Sequence, residues 1–244
     1  MNQTAWLDLY GNDLAAALFT VLMVGGYHLF MLRRLKQDPL YTVQAINALA
    51  RTAWVEEVMK TGKDILAVQT LRNSTMAATF LASTAALLVI GTLTLIGQSD
   101  KLNAAWHSLN VSGSKSAVLW QVKLLLLIGD FLIAFVFFSQ SIRLFNHVGF
   151  MINVPLARNH KAISPQHVAL HLNRAGRAHM LGMRAYYFAV PLVFWLFGPL
   201  YMALSSFVLL IVLYNLDRAP KSLAEDYRWD LERPDETPLS IGHK

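Results

Sequence analysis

The run AVLWQVKLLLLIGDFLIAFVFF, residues 117–138, decides what kind of protein this is. It holds one cation, Lys123, and one carboxylate, Asp130, and apart from Gln121 and Gly129 every other residue is apolar. As an α-helix rising about 1.5 Å per residue, such a run is about 33 Å long, enough to cross a hydrocarbon core of about 30 Å. Three more windows share its character: 14–32, 74–96 and 185–214. The whole chain agrees with them, since 55% of its 244 residues are apolar and only 15% are charged. The expected fold is therefore all-α: a polytopic membrane protein with four transmembrane helices and helical cytoplasmic extensions, residues 1–217, followed by a charged tail, 218–244.

Residues 1–13 contain no Lys or Arg, whereas Arg33, Arg34 and Lys36 follow the first window. That order suits a retained anchor with its N-terminus outside rather than a cleaved leader. Lys plus Arg number seven in 33–72 and five in 139–182, against two in 97–116. The positive-inside rule places the first two of these segments in the cytoplasm and, with four spans, both termini outside. A competing topology breaks the last window at Gly198 and Pro199 into a re-entrant hairpin, its halves too short to cross singly, and returns the tail to the cytoplasm. The tail mixes five basic residues with Asp217, Glu225, Asp226, Asp230, Glu232, Asp235 and Glu236.

The segments between windows are patterned. Asp38 and Pro39 read as a helix start, after which Leu40, Val43, Ile46, Leu49, Ala50, Ala53, Trp54 and Val58 recur at helical spacing up to Gly62. This predicts an amphipathic helix over 38–62, resting on the membrane surface or on its neighbours. Ser164 and Pro165 cap a second helical segment, 164–182. No strong breaker interrupts 64–90, so the second span extends into the cytoplasm, as does the third, until Asn153, Val154 and Pro155 stop it.

Two blocks carry a likeness. LRNSTMAATFLAST (71–84), with Arg51, Trp54 and Val55 upstream, and HMLGMRAYYFAVPLVFWLFGP (179–199) resemble the signatures of domain-of-unknown-function family 599. The resemblance runs from about the first span to Asp217 and leaves out the acidic tail. It implies a multi-spanning, mostly bacterial membrane protein, hence an inner-membrane location, and supplies no activity and no active-site residues.

Chemistry must then be sought in polar groups that lipid penalises. Asp130 and Lys123 share a face of the third span, about 10 Å apart along the axis, too far to pair. An intramembrane charge is a functional candidate by default, set against a neutral, hydrogen-bonded Asp130 with Lys123 snorkelling outward. His167, His171 and His179 recur on one helical face and could present imidazoles to a metal, with His28 and His147 at the same level as conceivable haem ligands; solvated histidines near a basic membrane surface are the commoner reading. Arg72 and Asn73 open the second span and Arg184 the fourth, as interfacial anchors or as a pocket for a lipid head group or another anion. Ala78, Ala82, Gly25 and Gly26 offer small faces for helix packing.

The absence of cysteine excludes disulfides, thiolate catalysis and Cys-ligated metal centres. The lack of a phosphate-cradling loop, an HExxH pair or a nucleophile elbow argues against an enzyme, and no cofactor is expected. Basic residues confined to loops argue against nucleic acid. Two readings remain. In one, the chain is a structural, accessory or self-assembling subunit among lipids and other membrane proteins. In the other, it is a homo-oligomeric channel or transporter with Asp130, Lys123, Thr79, Ser83 and Thr84 along a polar path.

Overall fold

A computed structural model of the chain describes residues 3–98, 113, 114, 116–155 and 163–232. Among these residues the elements are α1 (Gln3–Gln37), α2 (Val43–Thr61), α3 (Asp64–Gly97), α4 (Ala117–Met151), α5 (Pro165–Phe197), α6 (Pro199–Asp217) and α7 (Lys221–Glu232). The all-α membrane architecture is as the sequence predicts, but five helices, not four, are long and apolar enough to cross a bilayer: α1, α3, α4, α5 and α6. They pack as a row, α3 beside α4, then α5, then α6, with α1 against α6. Large apolar side chains such as Phe80, Leu87, Leu125, Ile133 and Val208 point away from the row and are more than half exposed, a surface suited to lipid and not to water.

The extra span comes from Gly198. Its φ of 143° lies where side-chain-bearing residues are rarely found, and Pro199, lacking a backbone N–H, starts a new helix there. The expected window 185–214 is therefore neither one kinked helix nor a pair of short re-entrant halves. α5 runs 33 residues into the turn and α6 runs 19 residues out of it. Because α6 returns alongside α5, the start of α1 and the tail after Asp217 lie at opposite ends of the bundle. This replaces the expectation that both termini share one side.

At the end that carries Arg33, Arg34, Arg72 and Arg143, here called the basic end, the helices stand proud of the apolar zone and form a second core. Val55, Val58 and Met59 of α2 meet Ala67 and Leu71 of α3, Phe145 and Val148 of α4, and Val168, Leu172 and Ala175 of α5. Local signals set its boundaries. The Thr42 hydroxyl accepts from the Ala45 N–H to open α2, and Gly62 closes it in the left-handed conformation. α2 therefore starts four residues later than the sequence suggested. Asp38 serves the preceding turn, accepting from the Leu40 N–H. Ser164 caps α5 by accepting from the His167 N–H, with Pro165 in the first turn, as expected.

The segment after Asp217 belongs to this end too. The Ala219 N–H donates to the Tyr41 carbonyl, and Ala219, Ala224 and Tyr227 cover Leu40 and Ile46. Arg228 pairs with Asp38 at 3.1 Å. Residues 233–244 of the predicted tail lie outside the described residues.

Candidate functional site

A cavity of about 620 Å³ opens between α2, α3, α4 and α5 where the basic-end core meets the apolar zone. Its volume is in the range that suits a small ligand. Trp54, Leu71, Phe145, Leu172 and Met180 give it apolar walls, and Arg51, His179, Gln44 and Asn47 give it polar ones. Arg51 is placed by a local relay. Its Nε–H donates to Asn173 Oδ1 at 2.8 Å, while the Asn173 amide donates to the Ala48 carbonyl and the Thr52 hydroxyl, both at 3.2 Å. α5 makes room for the guanidinium with a glycine, since a Cβ on Gly176 would stand 2.9 Å from Arg51 Cζ.

One guanidinium nitrogen of Arg51, Nη2, is buried without a hydrogen-bond partner, and so is Nδ1 of His179 in the same cavity. No carboxylate among the described residues pairs with Arg51. Burial alone works against the guanidinium charge, with no neighbouring charge to offset it. A half-buried cation without a counter-charge is costly, so Arg51 is the group of this cavity that an anion would answer. The imidazole itself is held edge-on to Phe138, with ring centroids 5.5 Å apart.

The family model for a protein of unknown function, DUF599, matches residues 15–222. The chain belongs to this family. No curated protein and no solved structure matches it. In this DUF599 chain the match reaches past Asp217 and takes in the start of the segment first set apart as a tail.

The residues singled out in the sequence are dispersed by the fold. Lys123 does not snorkel: its Nζ meets Asp13 Oδ1 at 2.7 Å and donates to the Trp195 carbonyl at 3.1 Å, while the Trp195 indole N–H donates to the same carboxylate at 2.8 Å. The other carboxylate oxygen of Asp13 accepts from the Ser114 N–H at 2.7 Å, so α1, α4 and α5 are tied together at the end opposite the basic one. Asp130 takes no part in this network, and its Oδ2 is buried without a partner. The Thr79 and Thr84 hydroxyls donate to carbonyls of their own helix, and Ser83 is exposed, so the groups of the polar-path reading are not brought together.

Arg184 and Arg72 are also separated. Arg184 pairs with Asp217 at 2.6 Å and reaches His28 Nε2 at 2.9 Å, while the Tyr27 hydroxyl donates to the same Asp217 oxygen at 2.6 Å. This cluster binds α1, α5 and α6 at the basic end, so Arg184 answers a carboxylate of its own chain. Arg72 and Asn73 are exposed on α3, with Arg72 beside Asn146 and Asn153 in a different groove. Of the histidines, His171 lies between His147 and His167, at centroid distances of 5.2 and 6.4 Å, whereas His179 faces Phe138. Among the described residues no three metal-ligating side chains converge. Asp13, Arg51 and Asn173 were absent from the sequence-based candidates. Arg51 had appeared only within the family signature, and Asp13 falls one residue before the first apolar window.

Proposed function

We propose that this protein binds a small anionic ligand in the Arg51–His179 cavity, and acts as a ligand-responsive accessory or self-assembling subunit of a bacterial inner membrane rather than as an enzyme or channel. The observation that carries the reading is Arg51, which lines the cavity with its Nη2 unpartnered and with no carboxylate of the described residues paired to it. The cavity holds one imidazole and no carboxylate, a donor set suited to holding an anion more than to moving protons in pairs. Gathering the tail at the basic end supports a cytoplasmic opening. Among the described residues, Arg218, Lys221 and Arg228 after Asp217 now join the seven Lys and Arg of 33–72 and Arg143, Arg174 and Arg177 at one end.

Trp54 lines the cavity and provides a reporter. In detergent, titration with succinate, acetate or inorganic phosphate is expected to change tryptophan fluorescence saturably in the wild type. The change should be lost in Arg51→Met and in Trp54→Phe, with thermal unfolding used to confirm that both variants fold. No saturable response to any of the three probes would sink the reading, as would a response that survives Arg51→Met.

A further inference from the structure

The opposite side of the α4–α5 pair carries a second concavity, of about 830 Å³, distinct from the Arg51 cavity. Its floor follows two antiparallel helices, so residues that face each other change character together along its length. Phe137, Ala178 and Leu181 line the part level with the last apolar residues of α4. Arg143, Arg174 and Arg177 line the part beyond, with His147 and His171. From Phe137 to Arg143 the rise along α4 is about 9 Å, under two turns of helix between the apolar floor and the first cation of that helix.

All three arginines are exposed, and none forms an ion pair among the described residues. That sets them apart from Lys123, Arg184 and Arg228, each matched by a carboxylate of the chain. The described lining contains no Asp or Glu. A concentration of unneutralised guanidinium groups suits phosphate oxygens, which accept forked hydrogen bonds from each of them. The apolar part adds a second requirement that free phosphate does not meet: whatever binds must also cover Phe137 and Leu181 at the edge of the hydrocarbon.

We infer that this groove is a binding site for an anionic phospholipid, with its phosphate among Arg143, Arg174 and Arg177 and its acyl chains descending past Phe137 and Leu181. The lipid would fill the seam between α4 and α5 from the bilayer side while the Arg51 cavity takes its ligand from the other, so each site stands or falls without the other. Juxtamembrane basic clusters attract anionic lipid electrostatically.

The test is native mass spectrometry of the full chain after delipidation in detergent, with added phosphatidylglycerol, phosphatidylcholine or inorganic phosphate. Phosphatidylglycerol should be retained at least tenfold better than phosphatidylcholine, and that preference should collapse in the Arg143→Ala/Arg174→Ala/Arg177→Ala variant. It should persist in Lys60→Ala/Lys221→Ala, which removes exposed cations elsewhere. Equal retention of the two lipids overturns the proposal, as does a triple variant that keeps the preference. Retention of inorganic phosphate with no lipid preference overturns it in favour of a soluble anion. Thermal unfolding of the triple variant shows that any loss is not a loss of fold, and the Trp54 response reports separately on the Arg51 cavity.

Discussion

Lys123 and Asp13 form a 2.7 Å ion pair in which their side chains are only 3% and 2% exposed, and the Trp195 indole closes it from a third helix. Removing one member of such a pair leaves the other buried and uncompensated, which costs about 3–5 kcal/mol. Asp13→Asn and Lys123→Met should therefore each lower the unfolding midpoint sharply in a detergent melt. The double variant Asp13→Leu/Lys123→Met should recover much of the loss. Recovery stays incomplete because the Ser114 N–H and the Trp195 indole N–H lose their acceptor, at about 1–3 kcal/mol each. A double variant less stable than both singles would contradict the pairing.

The five-span topology makes a direct prediction for labelling, and the chain contains no cysteine to confuse it. Cysteines introduced singly at Gly11, Lys60 and Lys221 should fall into two classes with a membrane-impermeant maleimide. Gly11→Cys should react in intact cells; Lys60→Cys and Lys221→Cys should react only once the membrane is opened. Co-labelling of Lys221→Cys with Gly11→Cys would restore a four-span chain.

Much of this fold was legible because lipid imposes a simple demand: apolar length, and punctuation at its ends. The capped start of α5 at Ser164, the glycine stop of α2 at Gly62 and the halt of α4 before Pro155 follow from local chemistry alone. The α5–α6 hairpin was harder to read because Arg184 looks like an interfacial boundary. In the fold it is only 18% exposed and is matched by Asp217, so helix on both sides of it contributes to one long element. Asp13 was missed for a related reason. A polar residue at the edge of an apolar run reads as loop until a partner more than a hundred residues away shows that it is buried. The Arg51 cavity depends on four helices meeting, which no local pattern encodes.

Gly176 offers a way to disturb that cavity without disturbing the fold. The atoms that a new Cβ would meet belong to the far end of the Arg51 side chain, which can swing aside. Gly176→Ala is expected to unfold within a few degrees of the wild type and yet to lose most of the anion response of Trp54. An unchanged response would mean that the guanidinium position does not matter.

Gly182 predicts the contrary outcome. A Cβ there would stand 2.8 Å from two ring carbons of Phe138, a fully buried side chain with no room to retreat. Overpacking of this kind costs about 1–3 kcal/mol. Gly182→Ala should lower the melting midpoint, and Gly182→Ala/Phe138→Leu should restore part of it. A Gly182→Ala protein as stable as the wild type would show that α4 and α5 yield more easily than their packing implies.

The attachments of α1 also dictate an order of events in the cell. Asp13 meets Lys123 of α4, but its bond to Trp195, and those of Thr20 to Ser206 and Tyr27 to Asp217, reach helices made later still. At roughly 5–20 residues per second, α1 waits roughly ten to forty seconds in the bilayer before its last anchor emerges. Its open flank of Leu18, Val21 and Leu22 suits it to that wait in lipid. α1 thus completes its docking only after α6 is made, and that docking reports that the ribosome has delivered the chain as far as Asp217.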